Sequence, residues 1–282
     1  MNLSGRRRST NVEDRRGKGG KIAGIGFGGA IVAALIALIL GGDPSEVIQQ
    51  IGSQTTETSE YTPTEQEEQL REFAEQILAS TEDVWTAQFK KMGKTYTPPK
   101  MVLFHGSVQS GCGSASSSMG PFYCSADQCV YLDLDFFNEM PKSLGAGGDF
   151  AYAYVIAHEV GHHVEHLLGV LGEAHSKMSR VSEKEKNQIS VRIELLADFY
   201  AGVWGYYENQ MFGSLEDGDL EEAVNAAQKI GDDYLQKNAR GYATPESFTH
   251  GTSEQRVRWL KKGLTTGDMS KGDTFTLPYS SL

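Results

Sequence analysis

The segment HEVGHHVEH at 158–166 contains two overlapping patterns that are both typical of zinc hydrolases. In the first, H-E-x-x-H, His158 and His162 bind the metal and Glu159 is the base. In the second, H-x-x-E-H, His162 and His166 bind the metal and the intervening glutamate is the base. Histidines four residues apart lie on one face of a helix, so either pair can reach a single ion. Because His162 belongs to both patterns, ligand chemistry alone does not choose between them.

A later segment supplies two carboxylates that could complete such a site. Glu194 and Asp198 are also four residues apart, and their neighbours are apolar, so burial would leave both acids in need of partners. A catalytic zinc takes three protein ligands and keeps a fourth position open. We therefore predict that Zn²⁺ is the cofactor, with one of these two carboxylates as the third ligand. The other carboxylate is predicted to accept the free N–H of a ligand histidine, and Glu159 to act as general base on the attacking water.

These motifs together resemble a known family of enzymes. His158-Glu-Val-Gly-His162 followed by Glu194-x-x-Ala-Asp198 is similar to the gluzincin branch of zinc peptidases. More specifically, the chain resembles the bacterial "putative neutral zinc metallopeptidase" family, whose members have a short basic start and one membrane span. The family-like segments are 5–16, 111–115, 120–124, 130–133 and 250–256. The resemblance implies a zincin-like fold and peptide-bond hydrolysis, with Glu194 as third ligand, Glu159 as base and Asp198 behind a ligand histidine.

The resemblance also favours the H-E-x-x-H pattern, because a Glu-x-x-Ala-Asp segment accompanies that pattern in gluzincins. Gly161 and Ala157 agree with this choice, since small residues let the ligand helix pack closely. Glu165 and His166 lie near the expected helix end, where we expect solvated side chains. His250 is a candidate to stabilise the oxyanion, as a late histidine or tyrosine does in gluzincins. Capping or packing is the alternative role for His250.

Hydrophobic periodicity and capping signals predict a helix-rich domain with one small sheet. Helices are predicted at about 64–92, 150–171 with Asp149 as N-cap, 183–208, 219–238 and from 253 onward, and a loop at 172–180. Two apolar runs around the polar turn 125–128 predict a β-hairpin. We expect its second strand, 130–134, to form a sheet edge that pairs with an extended peptide. The predicted fold class is α+β: a zincin-like metallopeptidase domain with a mainly antiparallel sheet.

The N-terminal region predicts a membrane anchor. Residues 22–40 are uncharged and almost wholly apolar, close to the length that spans a hydrocarbon core of ~30 Å. A cleaved signal peptide is the alternative, but the following Gly-Gly-Asp-Pro is a poor cleavage site. Residues 1–21 carry seven basic and two acidic side chains, which predicts a cytoplasmic N-terminus. We expect a basic segment (1–21), one transmembrane helix (22–40), a stalk (41–63) and a periplasmic or extracellular metallopeptidase domain (64–282), anchored in the inner membrane.

The overall charge limits the classes of partner. The 282-residue chain has a formal net charge of −11, which argues against nucleic acid because an acidic surface repels phosphate. A glycine pattern at 24–29 matches the dinucleotide-binding fingerprint literally. We reject a dinucleotide site, because the pattern lies inside the apolar run with no strand before it. The expected partners are a protein or peptide substrate and the membrane. Oligomeric state is left open.

The three cysteines predict one disulfide if the domain is extracytoplasmic, with one thiol left over. Cys112 and Cys124 both fall in family-like segments, so the resemblance implies that these two pair. Cys124 and Cys129 flank the hairpin turn and are the alternative pair.

The sequence thus predicts a membrane-anchored zinc metallopeptidase that hydrolyses peptide bonds of extracytoplasmic proteins or peptides. The alternative from another class is a non-catalytic, zinc-stabilised scaffold or binding protein on the membrane. Glu159 speaks against it, because a structural zinc site needs no base. A metal hydrolase acting on a non-peptide bond is a third hypothesis.

Overall fold

The structure is a computed structural model that describes residues 1–17 and 61–282, and its architecture is helix-rich α+β. The helices are α1 (Glu65–Lys91), α2 (Asp135–Glu139), α3 (Asp149–Leu167), α4 (Val170–Met178), α5 (Glu183–Phe212), α6 (Asp219–Lys229), α7 (Asp232–Arg240) and α8 (Ser253–Thr266). The strands are β1 (Val12–Asp14), β2 (Lys100–Phe104), β3 (Ser107–Ser110), β4 (Gly113–Ser116), β5 (Phe122–Cys124) and β6 (Cys129–Asp133). A π-helical turn, Met140–Leu144, follows α2.

Three of the predicted helix starts are confirmed by their capping boxes. In each, the N-cap hydroxyl accepts a hydrogen bond from the N3 backbone N–H, and the N3 side chain accepts one from the N-cap backbone N–H. The pairs are Thr64 with Glu67, Ser182 with Glu185 and Thr252 with Gln255. Short-range hydrogen bonding of this kind depends on four consecutive residues, which is why the sequence alone locates it.

Other predicted helix boundaries are wrong. The predicted loop at 172–180 is mostly helix α4. The predicted helix at 219–238 is two helices, because Gly231, the N-cap of α7, is extended with a ψ of 141°. Gly231 also approaches the start of α8 so closely that a Cβ there would lie 2.3 Å from Ser253 N. Asp149 is not an N-cap, since Gly148 occupies that position. Instead its carboxylate lies 2.6 Å from the Met1 amine.

The main sheet has the strand order β1-β2-β6-β5, and the relative directions of its strands differ from the prediction. β1 with β2 and β2 with β6 are parallel pairs, while only the hairpin pair β5 with β6 is antiparallel. The predicted hairpin is therefore confirmed, but the mainly antiparallel sheet is wrong. Strand β6 lies between β2 and β5, so the outer strand on the hairpin side is β5 rather than the predicted 130–134.

The N-terminal segment 1–17 packs against the rest of the described chain. Its strand β1 extends the main sheet, Arg6 Nη1 lies 2.7 Å from Glu208 Oε1, and Arg16 Nη2 lies 2.7 Å from Glu68 Oε1. Basic residues that the sequence analysis interpreted as a cytoplasmic flank thus bind carboxylates on α5 and α1. Strands of one sheet do not lie on opposite faces of a bilayer, so the prediction of a cytoplasmic N-terminus with the domain on the other side is wrong.

The predicted transmembrane helix at 22–40 and most of the predicted stalk at 41–63 lie outside the described residues. Within 1–17 and 61–282, no helix combines the length and the hydrophobicity that a membrane crossing requires. The predicted single-pass anchoring in the inner membrane is therefore not supported. The fold-class prediction of a domain behind one transmembrane helix is corrected to a helix-rich α+β architecture for the described residues.

Two close helix contacts set the positions of the candidate site residues. A Cβ on Gly161 of α3 would lie 2.9 Å from the Ala197 carbonyl oxygen of α5, so a glycine there lets the two helices touch. Gly202 of α5 and Gly263 of α8 meet even more closely, since a Cβ on either would lie 2.2 Å from a backbone oxygen of the other helix. The predicted role of Gly161 in close packing of the ligand helix is confirmed.

A disulfide joins Cys112 to Cys124, which confirms the pairing that the resemblance implied. It ties the loop of the β3–β4 hairpin to strand β5. Cys129 is a free, buried thiol.

Candidate active site

Helices α3 and α5 bring three predicted metal ligands together. His158 Nε2 lies 3.2 Å from Glu194 Oε2, and His162 Nε2 lies 3.6 Å from Glu194 Oε1. One ligand atom from each of the three residues can be chosen so that all lie within 4.8 Å of one another. Two ligand atoms about 3.3 Å apart are what a tetrahedral Zn²⁺ with bonds of ~2 Å requires. The three side chains are thus placed as one group that could bind a single ion.

Asp198 lies behind His158, as the sequence predicts. The His158 Nδ1–H donates to Asp198 Oδ1 at 2.9 Å, which leaves Nε2 facing Glu194. Arg256 donates to both oxygens of Asp198, each at 2.9 Å, and the Tyr154 hydroxyl donates to Oδ1 at 2.6 Å. Asp198 and Arg256 are both buried. A carboxylate held this firmly fixes the ring orientation of a ligand histidine.

Glu165 has the same relation to His162, and the sequence analysis missed it. The His162 Nδ1–H donates to Glu165 Oε2 at 3.0 Å. Glu165 was expected to be solvated, but it is 0 % exposed, and this burial raises the pKa of its carboxyl to about 7. Its position three residues after His162 on the same helix was the available signal. Both histidines therefore use Nδ1 for a carboxylate and turn Nε2 toward Glu194.

The competing H-x-x-E-H pattern is not assembled as a ligand set. His166 is half-buried, and its ring centroid lies 6.3 Å from that of Tyr123, on the side of strand β5. Among the described residues, the ligand group at the α3–α5 contact contains His158, His162 and Glu194, without His166.

Glu159 and His250 line the same cleft as the three ligand candidates. Glu159 is buried, and this raises the pKa of its carboxyl, although the neighbouring imidazoles of His158 and His162 act against the shift. A raised pKa suits a group that must accept a proton and pass it on. The sequence-predicted base is thus beside the ligand group.

His250 is positioned by a carboxylate that the sequence analysis did not identify. Its Nδ1 lies 3.3 Å from Asp232 Oδ1. Asp232 Oδ2 accepts the backbone N–H groups of Thr249, His250 and Gly251 at 2.8, 2.7 and 2.9 Å. This buried acid at the start of α7 fixes both the loop and the ring of His250. Asp232 lies beside His250 because the chain breaks between α6 and α7, and hydrophobic periodicity does not predict that break.

The charges of the group agree with the chemistry of a zinc site. Burial works against a charged imidazole, but Asp198 and Glu194 raise the pKa of His158 to about 10. Burial likewise opposes ionisation of Glu194, yet the imidazoles of His162, His250 and His158 hold its pKa well below its usual range. The carboxylates therefore stabilise positive charge placed between them. Two imidazole Nε2 atoms and one ionised carboxylate form a ligand set that zinc uses in hydrolases, so the residues fit the metal.

The cleft beside this group has a volume of about 280 Å³. One wall is strand β5 with the turn before it, from Met119 to Tyr123. Apolar side chains from α2, the π-helical turn, α3 and the α6–α7 region line another part: Phe136, Leu144, Val155, Ile230 and Leu235. A polar floor with an apolar recess is typical of sites that bind an organic substrate.

Comparison with known proteins agrees with this geometry. The family model described as "putative neutral zinc metallopeptidase" matches residues 1–275. The chain belongs to this family. It is 49% identical over 286 residues to the uncharacterized protein YpfJ of Escherichia coli (strain K12), covering 98% of this chain and 99% of that protein. It is 39% identical over 257 residues to the uncharacterized protein Rv2575 of Mycobacterium tuberculosis (strain ATCC 25618 / H37Rv), covering 85% of each.

The family name implies a zinc-dependent peptidase without naming a substrate, and the two relatives are described as uncharacterized. No solved structure matches the chain. The zincin-like fold that the resemblance implied stays a prediction, and the observed fold class is helix-rich α+β.

His163 of this family member joins the active-site helix to strand β5. From the sequence we expect it on the helix surface, but it is 0 % exposed. Its Nε2–H donates to the Thr97 carbonyl at 2.7 Å, and its Nδ1 accepts the Tyr123 hydroxyl at 3.0 Å. The neutral ring thus holds Tyr123, a cleft residue, against α3.

We expect the stability of the protein to fall between about pH 6.5 and pH 4 because of His163. Burial lowers the pKa of His163 to about 4, so the unfolded state binds the proton first as pH falls. The neutral His163 ring contributes on the order of 3 kcal/mol to the free energy of unfolding. This contribution is complete above the unfolded-state pKa near 6.5 and is lost as the pH falls to about 4. Denaturant unfolding of the chelator-treated protein at several pH values should show a shallower pH dependence for His163→Gln than for wild type. The exposed control His175→Gln should follow wild type; equal curves for His163→Gln and wild type would refute the assignment.

Proposed function

We propose that this protein is a zinc-dependent endopeptidase. The observation that carries the proposal is the convergence of His158, His162 and Glu194 in a cleft whose wall includes Glu159. The family name supports the same reaction class at a coarser level. Structural zinc sites use four protein ligands and no base, whereas this group offers three ligands and a neighbouring carboxylate.

Each residue of the site has a task in this reaction. Zinc, when bound by His158, His162 and Glu194, supplies Lewis acidity for the scissile carbonyl and the attacking water. Glu159 accepts the proton of that water and delivers it to the leaving amine. His250, oriented by Asp232, donates a hydrogen bond to the oxyanion that forms on the carbonyl carbon.

The cleft favours an extended peptide with an apolar side chain near the cleaved bond. Strand β5 pairs with β6 on one side, and an added strand on its other side would receive backbone hydrogen bonds. The apolar recess formed by Val155, Leu235 and their neighbours would take a substrate side chain. A peptide with leucine or phenylalanine at that position should be cleaved faster than the same peptide with aspartate.

The zinc content of purified variants tests the metal site. We expect His158→Ala and Glu194→Ala each to contain one zinc equivalent fewer than wild type, because each removes a direct ligand. His166→Ala is the matched control: it removes a histidine from the same helix that lies outside the ligand group, so it should keep the wild-type zinc content. Inductively coupled plasma mass spectrometry of dialysed protein gives the number directly.

Two results would contradict this assignment. If His166→Ala lost zinc while His158→Ala kept it, the H-x-x-E-H pattern would bind the metal. If wild type bound zinc but cleaved no member of a diverse peptide library, the scaffold alternative would be favoured.

A further inference from the structure

A second group of metal-ligating side chains lies at the carboxyl ends of the parallel strands β2 and β6. His105 follows β2, Asp135 opens α2 directly after β6, and Glu67 comes from the first turn of α1. One ligand atom from each of the three lies within 4.8 Å of the others. The carboxyl edge of parallel strands is a common place for ligand sites, because successive loops converge there.

The geometry of the histidine resembles that of the first site. His105 Nδ1 lies 3.2 Å from Asp135 Oδ2, the same distance as between His158 Nε2 and Glu194 Oε2. Such a separation is close to the ~3.3 Å that two ligands of one tetrahedral Zn²⁺ adopt. One imidazole and two carboxylates also form a ligand set that suits a borderline divalent ion rather than Ca²⁺, which takes oxygen ligands.

Negative charge is concentrated around His105. A third carboxylate, Asp133, is 2 % exposed, and its Oδ1 lies 3.9 Å from His105 Nδ1. Three carboxylates around one imidazole leave a local excess of negative charge that a divalent cation would neutralise.

Glu67 keeps one oxygen lone pair that could bind a cation. Among the described residues, its Oε1 accepts only the Tyr61 hydroxyl, at 2.7 Å, whereas Oε2 accepts both the N–H and the hydroxyl of Thr64, at 2.6 and 2.8 Å. The side chains of His105 and Asp135 are 24 % and 28 % exposed, so water can complete the coordination.

We propose that His105, Asp135 and Glu67 bind a second divalent cation, distinct from the ion at His158, His162 and Glu194. The cation adjoins one end of the active-site cleft, because Phe136 follows Asp135 and lines that cleft. Asp133 also accepts the Gly106 N–H at 3.0 Å and the Ser117 hydroxyl, which leads to the cleft residues Met119 and Gly120. A cation bound at this site would hold the cleft wall that contains Met119 and Gly120 in place.

Zinc stoichiometry under saturating conditions tests the second site. Full-length wild type, equilibrated with excess Zn²⁺ and passed through a desalting column, should retain two equivalents. His105→Ala and Asp135→Asn should each retain one, whereas the control His175→Ala, an exposed histidine on α4, should retain two. Glu194→Ala should retain one, and Glu194→Ala combined with His105→Ala should retain none.

The outcomes separate the two sites. One equivalent in wild type that is unchanged in His105→Ala would overturn the second site and leave the proposed peptidase site intact. Two equivalents in both wild type and His105→Ala would also overturn it, since the extra ion would then be adventitious. Loss of zinc only in Glu194→Ala would speak for the peptidase site alone. If His105→Ala fails to fold by circular dichroism, Asp135→Asn, which keeps the side-chain shape, decides the question.

Discussion

Glu159→Gln is expected to lower kcat/KM for peptide hydrolysis by about 10²–10⁴-fold without changing the zinc content. The amide has nearly the same shape as the carboxylate but cannot accept the proton of the attacking water. Glu159 is not one of the three residues whose ligand atoms converge, so the metal should stay bound. The measurement pairs hydrolysis of a fluorogenic peptide carrying an apolar residue with mass-spectrometric zinc analysis of the same sample.

Glu173→Gln on α4 is the matched control, since Glu173 is exposed. It makes the same chemical change on a neighbouring helix and should keep wild-type rates. Wild-type kcat/KM in Glu159→Gln would exclude Glu159 as the base. Loss of zinc together with activity would mean that Glu159 holds the metal, directly or through its neighbours. Only retained zinc with lost turnover agrees with the proposed reaction.

Asp198→Ala should destabilise the protein by about 3–5 kcal/mol and weaken zinc binding by about 10–100-fold. The stability effect arises because Arg256, buried and bonded twice to Asp198, would keep its charge without a partner. The zinc effect arises because His158 would lose the acceptor of its Nδ1–H. Urea unfolding followed by circular dichroism and zinc titration against a competing chelator measure the two effects separately.

A double variant separates these two causes. Asp198→Ala with Arg256→Met removes both buried charges, so most of the lost unfolding free energy should return. Zinc affinity should stay low, because His158 still lacks its carboxylate. If stability did not recover, hydrogen bonds to Tyr154 would be more important than the orphaned charge. If zinc affinity recovered, Asp198 would not be what orients His158.

Local sequence patterns predicted the parts of the site that lie within one helix. Spacing of four residues put His158 with His162 and Glu194 with Asp198, since a helix turn brings such pairs to one face. The helix starts at Thr64, Ser182 and Thr252 were equally predictable from their capping boxes, whereas a box predicted at Asp219 and Glu222 is wrong, since Gly218 is the N-cap there. Glu165 and Asp232 were missed because burial decides their roles, and burial depends on which elements pack against them. The His105 group was missed because its three members are separated by long stretches of chain and meet only at a sheet edge.

The sequence by itself determined the chemical inventory of this protein: the H-E-x-x-H helix, the partner carboxylates on α5, the β5–β6 hairpin and a family-like pair of cysteines. These features rest on hydrogen bonds and side-chain spacing within a few residues. Only the tertiary structure decided the strand directions, the edge position of β5 and the docking of residues 1–17. A cluster of arginines looks the same in sequence whether it faces lipid headgroups or glutamates of its own chain. Glu208 and Glu68, which bind Arg6 and Arg16, are distant from them in the chain, so long-range packing shows which of the two applies.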